Sequence, residues 1–512
     1  MAGNGTQHED LGSDVEKNAP PLNNAPNEDQ NLSDQTTEHG TQETITVTWD
    51  GDKDPLCPRS MSTLRKCLTH PAKKLTDDLR TCASSIYTAT YEQMNAEFNC
   101  SQIVATLGLS TFVLGIALGP VLTSPLSEYY GRRPIYLFSW TMFIIWTIPS
   151  AVAQNIQTMI IARFFTGFAG SSFLSVAGGT AGDVFEKKDI QKPMSLVSLA
   201  PFIGPAIGPL IGGFINYNTN WRWTYYVMLI WAAILMVAIV FFAPETFHPI
   251  LLREKARKLR KESGNDAYRA PMEEVHKPIL ETLKISVSRP FQLLFLEPMC
   301  LCLDLYSAIL LGILYLFFGA FPLVFRTNHG MNLWQVGMTF LGIFVGLIIA
   351  TATTPIWAKL RAGWLAKQKK ETGKAVSEPE YRLPPCILGA FLIPIGLFWF
   401  AWTTYSSVHW IVPIIGSGVF GCGMLLVFTG IFTFLVDAYP QYAASAMAAN
   451  SFARCSFAAA FPLFGIQMYN TLGFQWASSL LAFLTVAMAP FPWLFFKYGK
   501  RLRAKSRFAA VT

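Results

Sequence analysis

From residue 97 onward the chain alternates long uncharged runs with short charged clusters. No Asp, Glu, Lys or Arg occurs between Glu97 and Glu128, Arg133 and Arg163, Arg163 and Asp183, Lys192 and Arg222, or Arg222 and Glu245. In the second half the gaps are Glu297 to Arg326, broken only by Asp304, then Arg326 to Lys359, Arg382 to Asp437 and Arg454 to Lys497. A helix needs about 20 mostly apolar residues to cross a bilayer, because each residue advances only about 1.5 Å. The gaps therefore predict eleven crossings, at 102–124, 135–153, 157–179, 194–215, 223–243, 296–320, 332–356, 384–404, 409–434, 443–468 and 474–496.

The segment before the first of these breaks the rhythm. Residues 68–93 read LTHPAKKLTDDLRTCASSIYTATYEQ and carry Lys73, Lys74, Asp77, Asp78 and Arg80. Only the uncharged stretch 81–91 follows before Glu92, half a crossing. Five separate charges would cost at least ~12 kcal/mol to insert at ~2.5 each. Two readings stay open: an altered splice junction or frame, or a tilted, half-inserted helix held by its neighbours.

Composition supports a membrane protein. Charged residues are 14% of the 512-residue chain and hydrophobic residues 51%, against about 25% charged in ordinary soluble proteins. Residues 1–52 differ, with eleven Asp/Glu, one Lys and many polar residues; such a stretch cannot offset its ordering entropy and reads as disordered. Lys and Arg collect on one side: Arg132 and Arg133, the 183–193 loop, ten in 247–289, seven in 358–383 and six after 496. Cytoplasmic loops carry that excess. The expected layout is an acidic cytoplasmic arm (1–65), a six-helix bundle (66–246), a basic cytoplasmic linker (247–289), a second six-helix bundle (290–497) and a basic tail (498–512). Two such bundles around a midplane cavity are a transporter arrangement. The scattered cysteines, CxC at Cys300 and Cys302 included, read as small core residues.

Three motifs carry further information. Loop 124–133 reads SPLSEYYGRR, with Glu128 four residues before Arg132, Gly131 at a turn, and Arg133; its plainest reading is a positive-inside anchor. Arg163 lies in TMIIARFFTGFAG, where a buried charge is costly and tends to be functional, unless it snorkels to the interface. The run GPAIGPLIGGF places Gly204, Gly208, Gly212 and Gly213 on a face another helix can approach closely, with Pro209 inviting a kink.

Together these motifs resemble the major facilitator superfamily. The loop is similar to its motif A, with Ser124 in place of the usual first glycine; Arg163–Gly167 is similar to motif B and the Gly/Pro run to antiporter motif C. PETFHPILLREKARKLRK (244–261), PEYRLPP (379–385) and LVDAYPQYAASAMAANSFAR (435–454) look like the fungal drug:proton antiporter-1 branch, including polyamine, drug and secondary-metabolite toxin exporters. The resemblance covers about 95–505. It implies an all-α membrane protein with twelve transmembrane helices, eleven of them clear here and the first degraded. It also implies proton-coupled efflux of a small organic compound by alternating access.

No catalytic constellation or phosphate loop is present in the sequence, so an ion gradient rather than a cofactor is the expected energy source. Asp304, inside LCLDLYSAILLGILYLFF, is the leading proton-coupling candidate, joined by Arg163 and Glu128; an Asp facing a wet vestibule is the bland reading. Glu128 and Arg132 are expected to gate the inner face. Asp437, Arg454 and Glu92 are secondary candidates. Tyr306, Tyr315 and Phe318 recur at helical spacing beside Asp304 and suit flat aromatic cargo. Asn99-Cys100-Ser101 is an outward glycosylation sequon if the orientation holds. Protons, a small molecule and lipid are the expected partners, without nucleic acid, for a monomer in the plasma or vacuolar membrane. The rivals are a nutrient or polyamine transporter on the same fold and a non-transporting sensor or scaffold.

Overall fold

The computed structural model describes residues 45–51, 54, 56–61, 75–184, 191–274, 279–372, 378–440, 442–504 and 506–509. Residues 1–44, and Lys73 and Lys74 of the unusual first segment, lie outside the described residues. Among the described residues twelve helical rods follow one another outside the linker. They are α1 (75–98), α2 (Gln102–Tyr130), α3 (Arg132–Ala151), α4 (Ile156–Gly170 and Ser172–Val184), α5 (Gln191–Asn218) and α6 (Arg222–Phe242). A linker intervenes, then α7 (Pro298–His329), α8 (Leu333–Thr339, Leu341–Ala352 and Thr354–Thr372), α9 (Pro384–Trp402), α10 (Ile411–Ala438), α11 (Ala443–Leu472) and α12 (Phe474–Met488 and Pro490–Arg503). The rods alternate between a face that holds the linker and a far face.

Among the described residues eight rods are long and apolar enough to cross a membrane; α1, α4, α5 and α11 are not among them. Those four carry Arg80, Arg163, the Gly/Pro run and Arg454. Their polarity fits rods that face protein rather than lipid. In the first bundle α2 packs on α4, α3 on α4 and α6, and α5 on α1; in the second, α9 packs on α10 and α12, α7 on α11, and α8 on α10. Between bundles, α2 meets α11 and α5 meets α8.

The first segment is helical from 75 through 98 and packs against neighbouring rods. Asp77 and Arg80 are both buried and form an i,i+3 ion pair at 2.6 Å, so the charges do not enter singly as the insertion arithmetic assumed. Ile86–Thr90 tightens into a 3-10 turn. Here Thr88 and Thr90 donate to the carbonyls of Ser85 and Tyr87, each at 2.7 Å. Such hydroxyls compete with the α-helical ladder and favour the tighter i,i+3 geometry. Caps fix other rod ends: Asn155 accepts from the Thr158 amide, and Asn332 and Gln335 form a capping box at the start of α8.

The described part of the expected disordered arm is folded. β1 (Ile45–Thr46) pairs in parallel with β2 (Tyr268–Arg269) of the linker. Val47 packs with Ala256 and Ala270 in a small core, and Lys255 bonds Asp50 and Asp54 at 2.8 and 2.7 Å. The Lys255 hydrogen bond holds the Asp54 carboxyl below its ordinary value. Helix His248–Ser263 forms one side of this module. A second linker helix, Ile279–Leu296, runs across the expected 289/290 boundary and packs on both α2 and α11.

Candidate transport site

The α2–α3 turn is built around a carboxylate that sequence reasoning passed over. Gly131 takes φ 99°, a conformation open to glycine. Glu245 accepts from the backbone amides of Arg132 and Arg133 at 2.9 and 3.0 Å, and a side-chain carbon at Gly131 would meet it. The Arg132 side chain donates to Ser127 at 2.6 Å and pairs with Asp183 of α4 at 3.4 Å. Arg133 reaches the Val240 carbonyl. Glu128 is exposed beside this turn, and the hydrogen-bond and ion-pair partners of Arg132 come from Ser127, from Asp183 of α4 and from Glu245 at the end of α6.

Arg163 is buried in α4 and does not snorkel. Its guanidinium lies between the rings of Tyr87 and Phe112, 4.3 Å from each centroid. It donates to the Ala83 carbonyl of α1 at 2.8 Å, with longer contacts to Ser84 and Gly108. Carbonyl and ring contacts supply the negative potential a buried cation needs.

The Gly/Pro run is a two-sided packing surface. Where Gly204, Gly208 and Gly212 face α1, an added carbon would meet Thr81, Ser85, Ile86 or Ala89. Ser85 donates to the Gly204 carbonyl at 3.2 Å. On the other side Gly213 abuts Leu333 and Trp334 of α8, and Gly337 abuts the Pro209 carbonyl. Both contacts lie toward the far face. There Glu92 of α1 also pairs with Arg326 of α7 at 2.9 Å, and Asn99 is exposed in a left-handed cap.

The second bundle holds a polar cluster at the inter-bundle surface. Asp304 is fully buried in α7. Its oxygens accept from Asn450 of α11 at 2.9 Å and from the Cys300 thiol at 3.3 Å, and Asn450 also donates to Ser307 at 2.7 Å. Arg454 lies one helical turn beyond Asn450, buried, with Phe428 and Phe432 of α10 around its guanidinium at 5.5 and 5.0 Å. Across the boundary Ser84 of α1 and the Tyr315 hydroxyl are 2.9 Å apart, and Phe202 of α5 meets Phe428 at 4.7 Å. Of the three expected cavity aromatics, only Tyr315 reaches the other bundle in a described contact. Phe318 packs on Phe340, and the Tyr306 hydroxyl is buried without a described partner. Asp437 is elsewhere, on the linker face, paired with Arg382 and Arg361.

The Major Facilitator Superfamily model matches residues 79–462, about three quarters of the chain. The chain belongs to the Major Facilitator Superfamily. It is 51% identical to the efflux pump atB of Aspergillus terreus, over 92% of this chain and 91% of that one. Identity to the probable drug/proton antiporter YHK8 of Saccharomyces cerevisiae is 42%, over 88% and 87%. Identity to the citrinin biosynthesis cluster transporter mrr1 of Monascus ruber is 40%, over 90% and 92%. A crystal structure of a D-xylose–proton symporter superposes with a TM-score of 0.61 at 17% identity, covering 84% of this chain and 98% of that one, which speaks to fold alone. This superfamily member is thus a multi-pass membrane protein of the fungal drug-efflux branch, built as two six-helix bundles.

Several transporter residues escaped the sequence. Asp77 and Arg80 were noticed only as charges that did not belong, although their i,i+3 spacing signals a pair. Asn450 carries no charge to draw attention in a polar string. Asp183 and Glu245 are far from Arg132 in sequence, and only the fold brings them together.

Proposed function

We propose that this transporter exports a small amphipathic or aromatic organic compound in exchange for protons. The compound is a secondary metabolite, toxin or drug, a reading supported by relatives that are an efflux pump, a probable drug/proton antiporter and a citrinin biosynthesis cluster transporter. The observation that carries the proton part is Asp304: a carboxylate buried in α7 with no described cation in salt-bridge range, bonded to Asn450 of α11. Protonation there changes a contact between two helices of the second bundle, and Asn450 shares its helix with Arg454 at the bundle boundary. One charge moving through 100 mV supplies about 2.3 kcal/mol, so no bound cofactor is needed.

Alternating access then uses the two contact zones. On the far face, α5 meets α8 and Glu92 meets Arg326; these must part for release. On the linker face, helix Ile279–Leu296 bridges α2 and α11 and must yield for loading, together with the Arg132–Asp183–Glu245 cluster. Glu128, exposed beside that cluster, and Arg163, tied to the α1 backbone, are positioned to transmit the motion rather than to carry the proton. The linker face is the cytoplasmic one by its Lys/Arg excess. The protein acts as a monomer in the plasma membrane, with Asn99 outside, and performs no covalent chemistry.

Purified full-length protein in liposomes tests the reading. An imposed pH gradient is expected to drive a fluorescent amphipathic dye in the direction opposite to proton flow, with a matching pH change. Dye movement that ignores the gradient, or runs with the proton, overturns it.

A further inference from the structure

Three buried arginines lie near the bundle boundary, and their surroundings differ. Arg80 is neutralised by Asp77. Arg163 is bonded to backbone carbonyls and sandwiched by two rings. Arg454 is 4% exposed. Among the described residues it has no carboxylate in salt-bridge range, and its Nε has no hydrogen-bond partner. Its guanidinium packs on the faces of Phe428 and Phe432, with Asp304 near enough to act on it electrostatically but outside ion-pair range. One turn away, the Asn450 Oδ1 is also buried without a partner. A buried cation with no ion-pair partner is costly, and an incoming anion would relieve that cost.

The surroundings specify the rest of the ligand. Phe428 continues to Phe202 of the first bundle, and the Tyr315 hydroxyl reaches Ser84 there. The apolar wall on which Arg454 sits is therefore shared by both bundles, as a cargo site in a rocking transporter must be. Asp304, the carboxylate of the neighbouring cluster, forms no ion pair with Arg454 and is bonded to the neutral donors Asn450 and Cys300, so a cationic cargo beside the Arg454 guanidinium would meet like charge.

We infer that Arg454 is the specificity residue of the cargo site, and that the preferred cargo is a flat aromatic acid bound as its anion, with organic cations refused. The inference rests on the efflux reading for placing cargo between the bundles. The guanidinium would take the carboxylate or phenolate oxygen, and the Phe202–Phe428–Phe432 wall would stack the ring.

Three probes of one shape and different charge decide it: 1-pyrenecarboxylate, 1-pyrenecarboxamide and 1-pyrenemethylammonium. Binding to the purified full chain is read by fluorescence anisotropy at neutral pH. The carboxylate is expected to bind about tenfold or more tighter than the amide, as for a charge-assisted hydrogen bond, with the ammonium weakest. Arg454→Gln should bring the acid-to-amide ratio close to one, and Arg454→Lys should keep part of it. Equal binding of acid and amide by the unmodified protein overturns the inference without any variant. So does tightest binding of the ammonium, or an unchanged ratio in a folded Arg454→Gln protein. Flux separates the two claims: if the amide moves against a proton gradient but the ranking is absent, only the inference falls. If the ranking holds but no probe moves with the gradient, the efflux reading falls.

Discussion

Helices α1 and α7 open the two bundles from the same face, and each carries acid within its first two turns. Their chemistry is opposite. In α1, Asp77 and Arg80 cancel one another one turn apart, and a tightened segment follows. In α7, Asp304 sits among apolar neighbours with only neutral donors, Asn450 and Cys300. A buried pair of this kind is a structural unit, since removing either charge would strand the other. A lone buried carboxylate has no such partner, which suits it to the proton-coupling role proposed. On the proposed mechanism, architecture falls to the first helix and proton coupling to the seventh.

The largest expected effect lies on the chemical side. Asp304→Asn keeps the shape and the Asn450 contact but removes the titratable group. Proton-driven efflux in liposomes should fall by roughly 10²-fold or more, the scale for losing a positioned proton-transfer group. Exchange of labelled for unlabelled cargo without a pH gradient should persist. A variant that still concentrates cargo against a proton gradient would move the coupling site away from α7.

The architectural side should fail differently. Asp77→Asn leaves Arg80 buried and unpaired, which costs about 3–5 kcal/mol in comparable cases. The expected result is a marked loss of thermal stability of the detergent-solubilised protein. Adding Arg80→Met should restore most of it, because an apolar replacement of a whole buried pair is often neutral. If the double variant is as unstable as the single one, the pair is not self-contained and α1 shares the chemistry of α7.

Next in size is the contact that holds α1 in place. At Gly208 an added carbon would meet Ser85 and lie 2.9 Å from the Ile86 amide. Gly208→Val is expected to destabilise by about 1–3 kcal/mol through overpacking and to lower efflux with it. Gly363→Ala, where the added carbon meets nothing within 4 Å, serves as the silent control in the same melting measurement. Equal melting points for the two variants would show that the Gly/Pro run does not seat α1.

What could be read beforehand follows from the range of each interaction. Hydrophobic spacing located eleven rods because crossing length is a property of each rod alone. The first rod is harder to read because insertion costs in a sequence add residue by residue, whereas Asp77 and Arg80 meet as a pair at 2.6 Å. Asp304 stood out because nothing nearby in sequence could neutralise it. Its partner Asn450, the Arg132–Asp183 pair and the seating of Val47 on Ala256 depend on chain segments 51 to 209 residues apart. No local pattern encodes them. Around Arg132 the local spacing shows Glu128, whereas the bonded carboxylates Asp183 and Glu245 come from distant chain segments.

The far ends of α1 and α7 give the comparison its smallest and sharpest test. Glu92 and Arg326 join the two helices at 2.9 Å, with side chains 71% and 36% exposed. Water screens such a pair, so its net worth is about 0–1 kcal/mol. Glu92→Gln should leave the melting temperature nearly unchanged. If the pair helps to close the far face, the variant should label modestly faster with a membrane-impermeant thiol reagent at a cysteine introduced at Trp334. High salt should bring the unmodified protein to the same labelling rate, because screening and neutralisation remove the same attraction. A large loss of stability in Glu92→Gln would contradict this ordering. It would mean that the first and seventh helices are held together by their exposed ends rather than by the Ser84–Tyr315 contact in the interior.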